Sequence, residues 1–136
     1  MTLENLEKDY WPEPKEFPTS MVKEIYSLRK KEIDNFDPDN FRLLISQGVG
    51  LKFLIPKAIE LLRNDLLTEA LYYPGDLLLS LLRAKKEYWV DNIEQYHHFK
   101  EILLESEKDI YKSDNITTEI KEEISLTIKN FLSAYE

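Results

Sequence analysis

The chain has 136 residues, enough for one domain whose core needs no disulfide or metal staple. Hydrophobic residues make up 43% and charged residues 32%, with 18 Lys and Arg against 26 Asp and Glu, a net charge of −8. That balance argues against binding to nucleic acid or anionic membrane, both of which need basic patches, and leaves basic proteins as natural partners. Cysteine is absent, which excludes disulfides, thiolate metal sites and cysteine nucleophiles.

The N-terminal residues 1–8 are amphipathic and acidic, without the basic start and apolar core of a signal peptide. The richest apolar stretch, residues 77–82, is far short of a membrane span. A soluble cytoplasmic protein is the expectation.

Apolar residues recur at three- and four-residue spacing, the helical period, with no run of alternating polarity and no Asn-Gly or Asp-Gly hairpin signal. The expected fold is all-α: a single compact domain over residues 1–136, built from six or seven helices. Thr2 caps a short first helix lined by Leu3, Leu6 and Tyr10, which Pro12 and Pro14 stop. Residues 12–18, with three prolines, read as an extended connector. A second helix runs from Thr19-Ser20 to about Lys30, with Val22, Ile25, Tyr26 and Arg29 at helical spacing.

The third helix starts sharply, with Asp37 as N-cap and Pro38 at the first helical position, and turns Phe41, Leu44 and Ile45 inward. Gly48 and Gly50 end it, since the position past a helix often needs positive φ. The fourth covers about 51–64, where Pro56 predicts a kink or marks the true first turn. Asp76 is the expected cap of the fifth, which runs through Leu82, is apolar nearly all round and is therefore the expected central helix. A sixth spans about 87–107. A break at Ser113-Asp114-Asn115 leads to a seventh over about 117–134, its inner face marked by Ile120, Ile124, Phe131 and Tyr135.

No catalytic constellation emerges, and neither a metal nor a cofactor is expected. His97 and His98 are neighbours and point about 100° apart on a helix, so they cannot share one metal. Glu94-x-x-His97 is half of a di-iron carboxylate pattern whose second copy is missing. Ser46 and Ser80 lack the strand-turn-helix setting of a nucleophile elbow. Gly48-Val49-Gly50 is too short for a phosphate loop and reads as an interhelical turn.

The charge pattern is more informative. Between residues 87 and 123, eleven acids face four lysines, which accounts for nearly all of the net negative charge. On a continuous sixth helix, Glu87, Asp91, Glu94, Glu101 and Glu105 fall within about 80°, opposite Trp89, Ile93, Tyr96 and Leu103. Such a stripe is either a solvated face that keeps the chain soluble or the landing surface for a cationic protein partner. These five acids are the candidate partner-binding residues.

Three stretches, in order, carry a family resemblance. They are residues 1–7 with Trp11 and Pro14, then Ser46-Gln47-Gly48-Val49-Gly50-Leu51 with Leu54 and Pro56, then Tyr72-Tyr73-Pro74-Gly75-Asp76-Leu77-Leu78. Together they resemble immunity proteins of contact-dependent growth inhibition systems over about residues 1–90. The resemblance implies a small cytoplasmic bacterial protein, not an enzyme, that binds and neutralises the C-terminal toxin domain of a large surface protein encoded beside it. Toxins of such systems are commonly nucleases, some of them ribonuclease A-like. The motif residues themselves read as structure: glycine turns, a helix start, and Trp11 as a packing anchor. An all-helical adaptor with an unrelated partner is the alternative reading.

Overall fold

The computed structural model describes residues 1–135, of which about two-thirds are helical. The helices among them are α1 (Leu3–Glu7), α2 (Ser20–Arg29), α3 (Pro38–Ser46), α4 (Leu51–Asn64), α5 (Asp76–Leu82), α6 (Lys86–Asp91), α7 (Ile93–Lys112) and α8 (Thr118–Ser133), with a 3₁₀ turn at Ile33–Asn35. The fold is all-α, as the apolar period predicts. One backbone bridge, Glu69 with Pro74, closes the loop before α5.

Helix starts follow local chemistry. Thr2 accepts from the Asn5 backbone N–H at 3.1 Å while Asn5 Oδ1 accepts from the Thr2 N–H at 3.2 Å, a reciprocal capping box. Asp37 and Asn40 repeat the arrangement at 2.9 and 3.1 Å, with Pro38 at the first position of α3. Thr19 and Thr117 cap α2 and α8.

Three local expectations are corrected. The first helix stops at Glu7 on a left-handed Lys8 (φ 54°), before any proline is reached, so Tyr10 lies outside it and is exposed. Pro56 sits inside α4, which runs on from Leu51, so it does not mark the first turn. Gly75, not Asp76, occupies the cap position of α5.

The layout centres on α5. All seven of its residues are buried, and it packs on α3 to one side and α8 to the other. In turn α3 packs on α4, and α7 packs on α4, α6 and α8. Leu44, Leu54, Ile55, Ile59, Leu77, Leu78, Leu81 and Phe99 are among the fully buried side chains of one continuous core.

Two glycines make the close approaches possible. Gly50 (φ +66°) caps α4, and a Cβ there would stand 2.8 Å from Leu3 Cδ2, so α1 rests directly on the backbone at this turn. Gly75 (φ +97°) meets α8 in the same way, its would-be Cβ 2.7 Å from Ile124 Cδ1. Any side chain at either position meets both a strained backbone and a clash.

The N-terminal segment is tied down by charge and aromatic contacts. Arg29 is buried, pairs with Glu7 and lies 4.0 Å from the centre of the Trp11 ring. Trp11 packs edge-on against Tyr26 at 5.2 Å, so it is the packing anchor the sequence suggests. Buried Glu4 pairs with Lys30 at 2.9 Å.

Asp76, displaced from capping its own helix, closes the loop before it instead. Its carboxylate accepts the backbone N–H groups of Ala70 at 2.7 Å, Leu71 at 2.9 Å and Tyr72 at 2.8 Å. Burial alone raises the carboxyl's pKa, but hydrogen bonds from the backbone at Tyr72, Ala70, Leu71 and Tyr73 outweigh it and hold the group below its usual 3.8.

Two outcomes are expected. Leu81→Ala should lower unfolding free energy by about 2–5 kcal/mol in a denaturant titration, whereas Leu104→Ala on the exposed face of α7 should change it by less than about 0.5 kcal/mol. Asp76→Asn should cost about 2 kcal/mol or more at neutral pH, because its amide cannot accept all three N–H groups. The folded pKa of Asp76 lies below the unfolded one, so its contribution is complete above the unfolded value and drains away as pH falls through the folded one. Acid titrations of wild type and Asp76→Asn should therefore converge at low pH.

Candidate functional site

The sixth helix expected from sequence is two helices. Asn92 (φ −130°, ψ 57°) separates α6 from α7, and its Nδ2 donates to the Tyr88 carbonyl at 2.8 Å, locking the break. Trp89 anchors α6 in the core, fully buried, stacked on Phe99 (5.3 Å, 13° between planes) and edge-on to Phe131. Tyr96 and Leu103 are buried on α7 as their spacing predicts.

The break redistributes the predicted stripe. Glu87 and Asp91 lie on α6, while Glu94, Glu101 and Glu105 lie on α7. The α7 trio stays on one face, within about 40° on the helical wheel. A single 80° stripe across all five presumes a continuous helix, and α6 and α7 do not form one. All five acids are nonetheless exposed.

Among the described residues none of the five joins an ion pair or a side-chain hydrogen bond. Some acids elsewhere are engaged, Glu4 with Lys30, Glu7 with Arg29, Asp39 with Arg42 at 2.5 Å, Glu60 with Arg63 and His98, and Glu123 with Arg83 at 2.6 Å, whereas others such as Glu16, Glu24 and Glu119 join no ion pair among the described residues. The paired Arg29, Lys30, Arg42, Arg63 and Arg83 lie outside α6 and α7, while Lys86, Lys100, Lys108 and Lys112 on those two helices join no ion pair among the described residues.

Ile93 is the inward residue that the continuous wheel misplaces. The break turns it out to 48% exposure, beside Val90 at 56%. Sequence reasoning missed this apolar pair. The signal was present in Asp91-Asn92, residue types that favour helix ends over helix interiors.

The residues weighed as nucleophiles are spent on the fold. Ser46 Oγ donates to the Leu43 carbonyl at 2.8 Å, and Ser80 Oγ to the Leu77 carbonyl at 2.7 Å. In the cleft of ≈ 330 Å³ between α3 and α5, Arg42 and Arg83 are each paired with an acid and Asp76 is filled by backbone donors. His98 faces Glu60 across the α7–α4 contact at 3.2 Å, and the two histidines do not converge on one point. Among the described residues no helix is long and apolar enough to cross a membrane.

The family model of CDI immunity proteins, those of contact-dependent growth inhibition, matches residues 5–102. The chain belongs to that family. Neither a curated protein nor a solved structure matches it. The matched span takes in the glycine turns at 48–50 and 75, all of α6 and the first half of α7, which includes four of the five acids.

One titration reports on the anchor of this face. The Tyr88 hydroxyl is buried, has no hydrogen-bond partner among the described residues, and burial pushes its pKa up to about 12. The neutral phenol is favoured by folding, so stability should hold below the usual value of 10 and fall as pH climbs from 10 towards 12. Tyr88→Phe should remove that alkaline loss in unfolding titrations, with little penalty at neutral pH, since it deletes an unpaired polar atom.

Proposed function

We propose that this chain is the immunity protein of a contact-dependent growth inhibition system, and that it neutralises a cationic toxin domain by covering it with the α6–α7 face. The observation that carries the reading is the set of five exposed acids, Glu87, Asp91, Glu94, Glu101 and Glu105, none of which joins an ion pair among the described residues. A nuclease toxin, ribonuclease A-like or otherwise, must present positive charge to hold its phosphate substrate, so a negative face competes with that substrate for the same surface. Inhibition of this kind is stoichiometric, leaves the toxin chemically intact and requires no enzyme activity. The place of action is the cytoplasm of the producing cell and its siblings, and the whole chain acts as one domain.

The test is kinetic. Steered association exceeds unsteered association by one to three orders of magnitude and is eroded by salt. Asp91→Lys combined with Glu94→Lys should slow association with the neighbouring toxin domain by about tenfold or more at low salt and flatten its salt dependence. Glu16→Lys with Glu24→Lys, exposed acids at the N-terminal end, should do little. Equal association rates for the two double variants would reduce the acidic face to solubilising charge. Protection of the toxin's target should titrate near one to one, and protection at strongly substoichiometric amounts would point to catalysis instead.

A further inference from the structure

We propose that Val90 and Ile93, displayed at the break between α6 and α7, are the apolar anchor of the toxin interface, seated against an apolar side chain of the toxin flanked by Lys or Arg. This rests on the reading of the α6–α7 face given above and adds the contact that holds the complex once charge has brought the partners together.

Val90 and Ile93 are more than half and nearly half exposed, whereas Tyr88, Trp89, Tyr96 and Phe99 around them are buried. The sequence pattern would bury Ile93 in a continuous helix; the break at Asn92 brings it outward instead. An open notch of ≈ 350 Å³, lined by Asp91, Asn92, Ile93, Glu94 and Gln95, takes in Ile93, with Val90 outside it. The junction is held by specific contacts. Asn92 holds the Tyr88 carbonyl, its own N–H reaches the Trp89 carbonyl at 3.3 Å, and Trp89 is clamped between Phe99 and Phe131. A preorganised apolar centre inside a charged rim is the arrangement that concentrates binding energy in protein interfaces.

The rim selects the occupant. Glu87, Asp91 and Glu94 flank the pair in sequence against one cation, Lys86, a turn before Val90, and none of the three acids joins an ion pair among the described residues. In a two-fold dimer through this patch, each acid would stand near its own twin, so a second copy is repelled. An anionic leaflet and a nucleic acid are repelled for the same reason. A cationic protein surface with an apolar knob satisfies both the apolar centre and the acidic rim.

The experiment measures association and dissociation rates of the purified toxin domain encoded beside this chain, at about 50 and about 300 mM salt. The variants are Val90→Ser with Ile93→Ser, the milder Val90→Ala with Ile93→Ala, and Asp91→Lys with Glu94→Lys. Leu71→Ser with Tyr72→Ser is the control, an exposed apolar pair on the loop before α5. The serine variant should dissociate about tenfold faster or more at both salt concentrations, with association within about twofold of wild type. The alanine variant should fall between, and the control should match wild type. All should keep the wild-type thermal midpoint, because these side chains face solvent.

If the serine variant dissociates like wild type while the charge reversal slows association, the anchor is wrong and the acidic landing face stands. If the loop control dissociates faster and the serine variant does not, the anchor lies at Leu71 and Tyr72. Wild-type protein that fails to bind the toxin domain overturns both the anchor and the function on which it rests. Sedimentation showing a dimer that the serine substitutions dissociate would replace the toxin with a second copy.

Discussion

A helix buried on every side constrains everything around it. In α5 no face is left for water, so its neighbours must supply apolar cover all round, and α3 and α8 do so. Its first residue is nevertheless an aspartate, and a buried carboxylate survives only when its charge is met. The loop at residues 70–72 turns its backbone N–H groups onto that carboxylate, which shapes the loop and fixes where α5 begins. Gly75 completes the turn, since only a residue without a Cβ admits Ile124 so close to the backbone. The Tyr-Tyr-Pro-Gly-Asp stretch is thus a device for inserting a helix into a core, and its chemistry is absorbed by folding.

The same economy holds at the N-terminus. Arg29 and Glu4 are charged and buried, and each is paired across the α1–α2 contact. Such pairs add modest net stability but specify one arrangement, because any misplacement strands a charge without its partner. Trp11 lies over Arg29 and brings the proline-bearing connector down onto α2. Arg29 and Lys30 are thereby committed to fastening the N-terminal segment.

For a CDI immunity protein, this division of labour is coherent. The three stretches that carry the sequence resemblance sit largely in turns and caps, where they define a scaffold. The five acids sit exposed on α6 and α7, outside the core. The Asn92 break adds shape to that surface. It redirects one helix against the next and places two β-branched side chains at the junction, while Trp89 keeps the junction tied to the core.

The helical class, most helix starts and the central position of α5 were legible in the sequence, because they depend on local chemistry: apolar period, capping side chains, proline and glycine. The acidic character of α6 and α7 was legible for the same reason, since charge is carried by residue type alone. Tertiary structure decided the rest. Whether Asp76 caps its own helix or the preceding loop depends on how that loop returns to α5. Asp91-Asn92 marks where residues 86–112 can break, but local chemistry does not decide whether they do; in the fold the break is accompanied by Trp89 packed against Phe99 and Phe131. The break turns Ile93 outward and divides the acids between two helices. Which acids join ion pairs was likewise settled only when distant cations, Arg83 with Glu123 and Lys30 with Glu4, had been brought to their partners by packing.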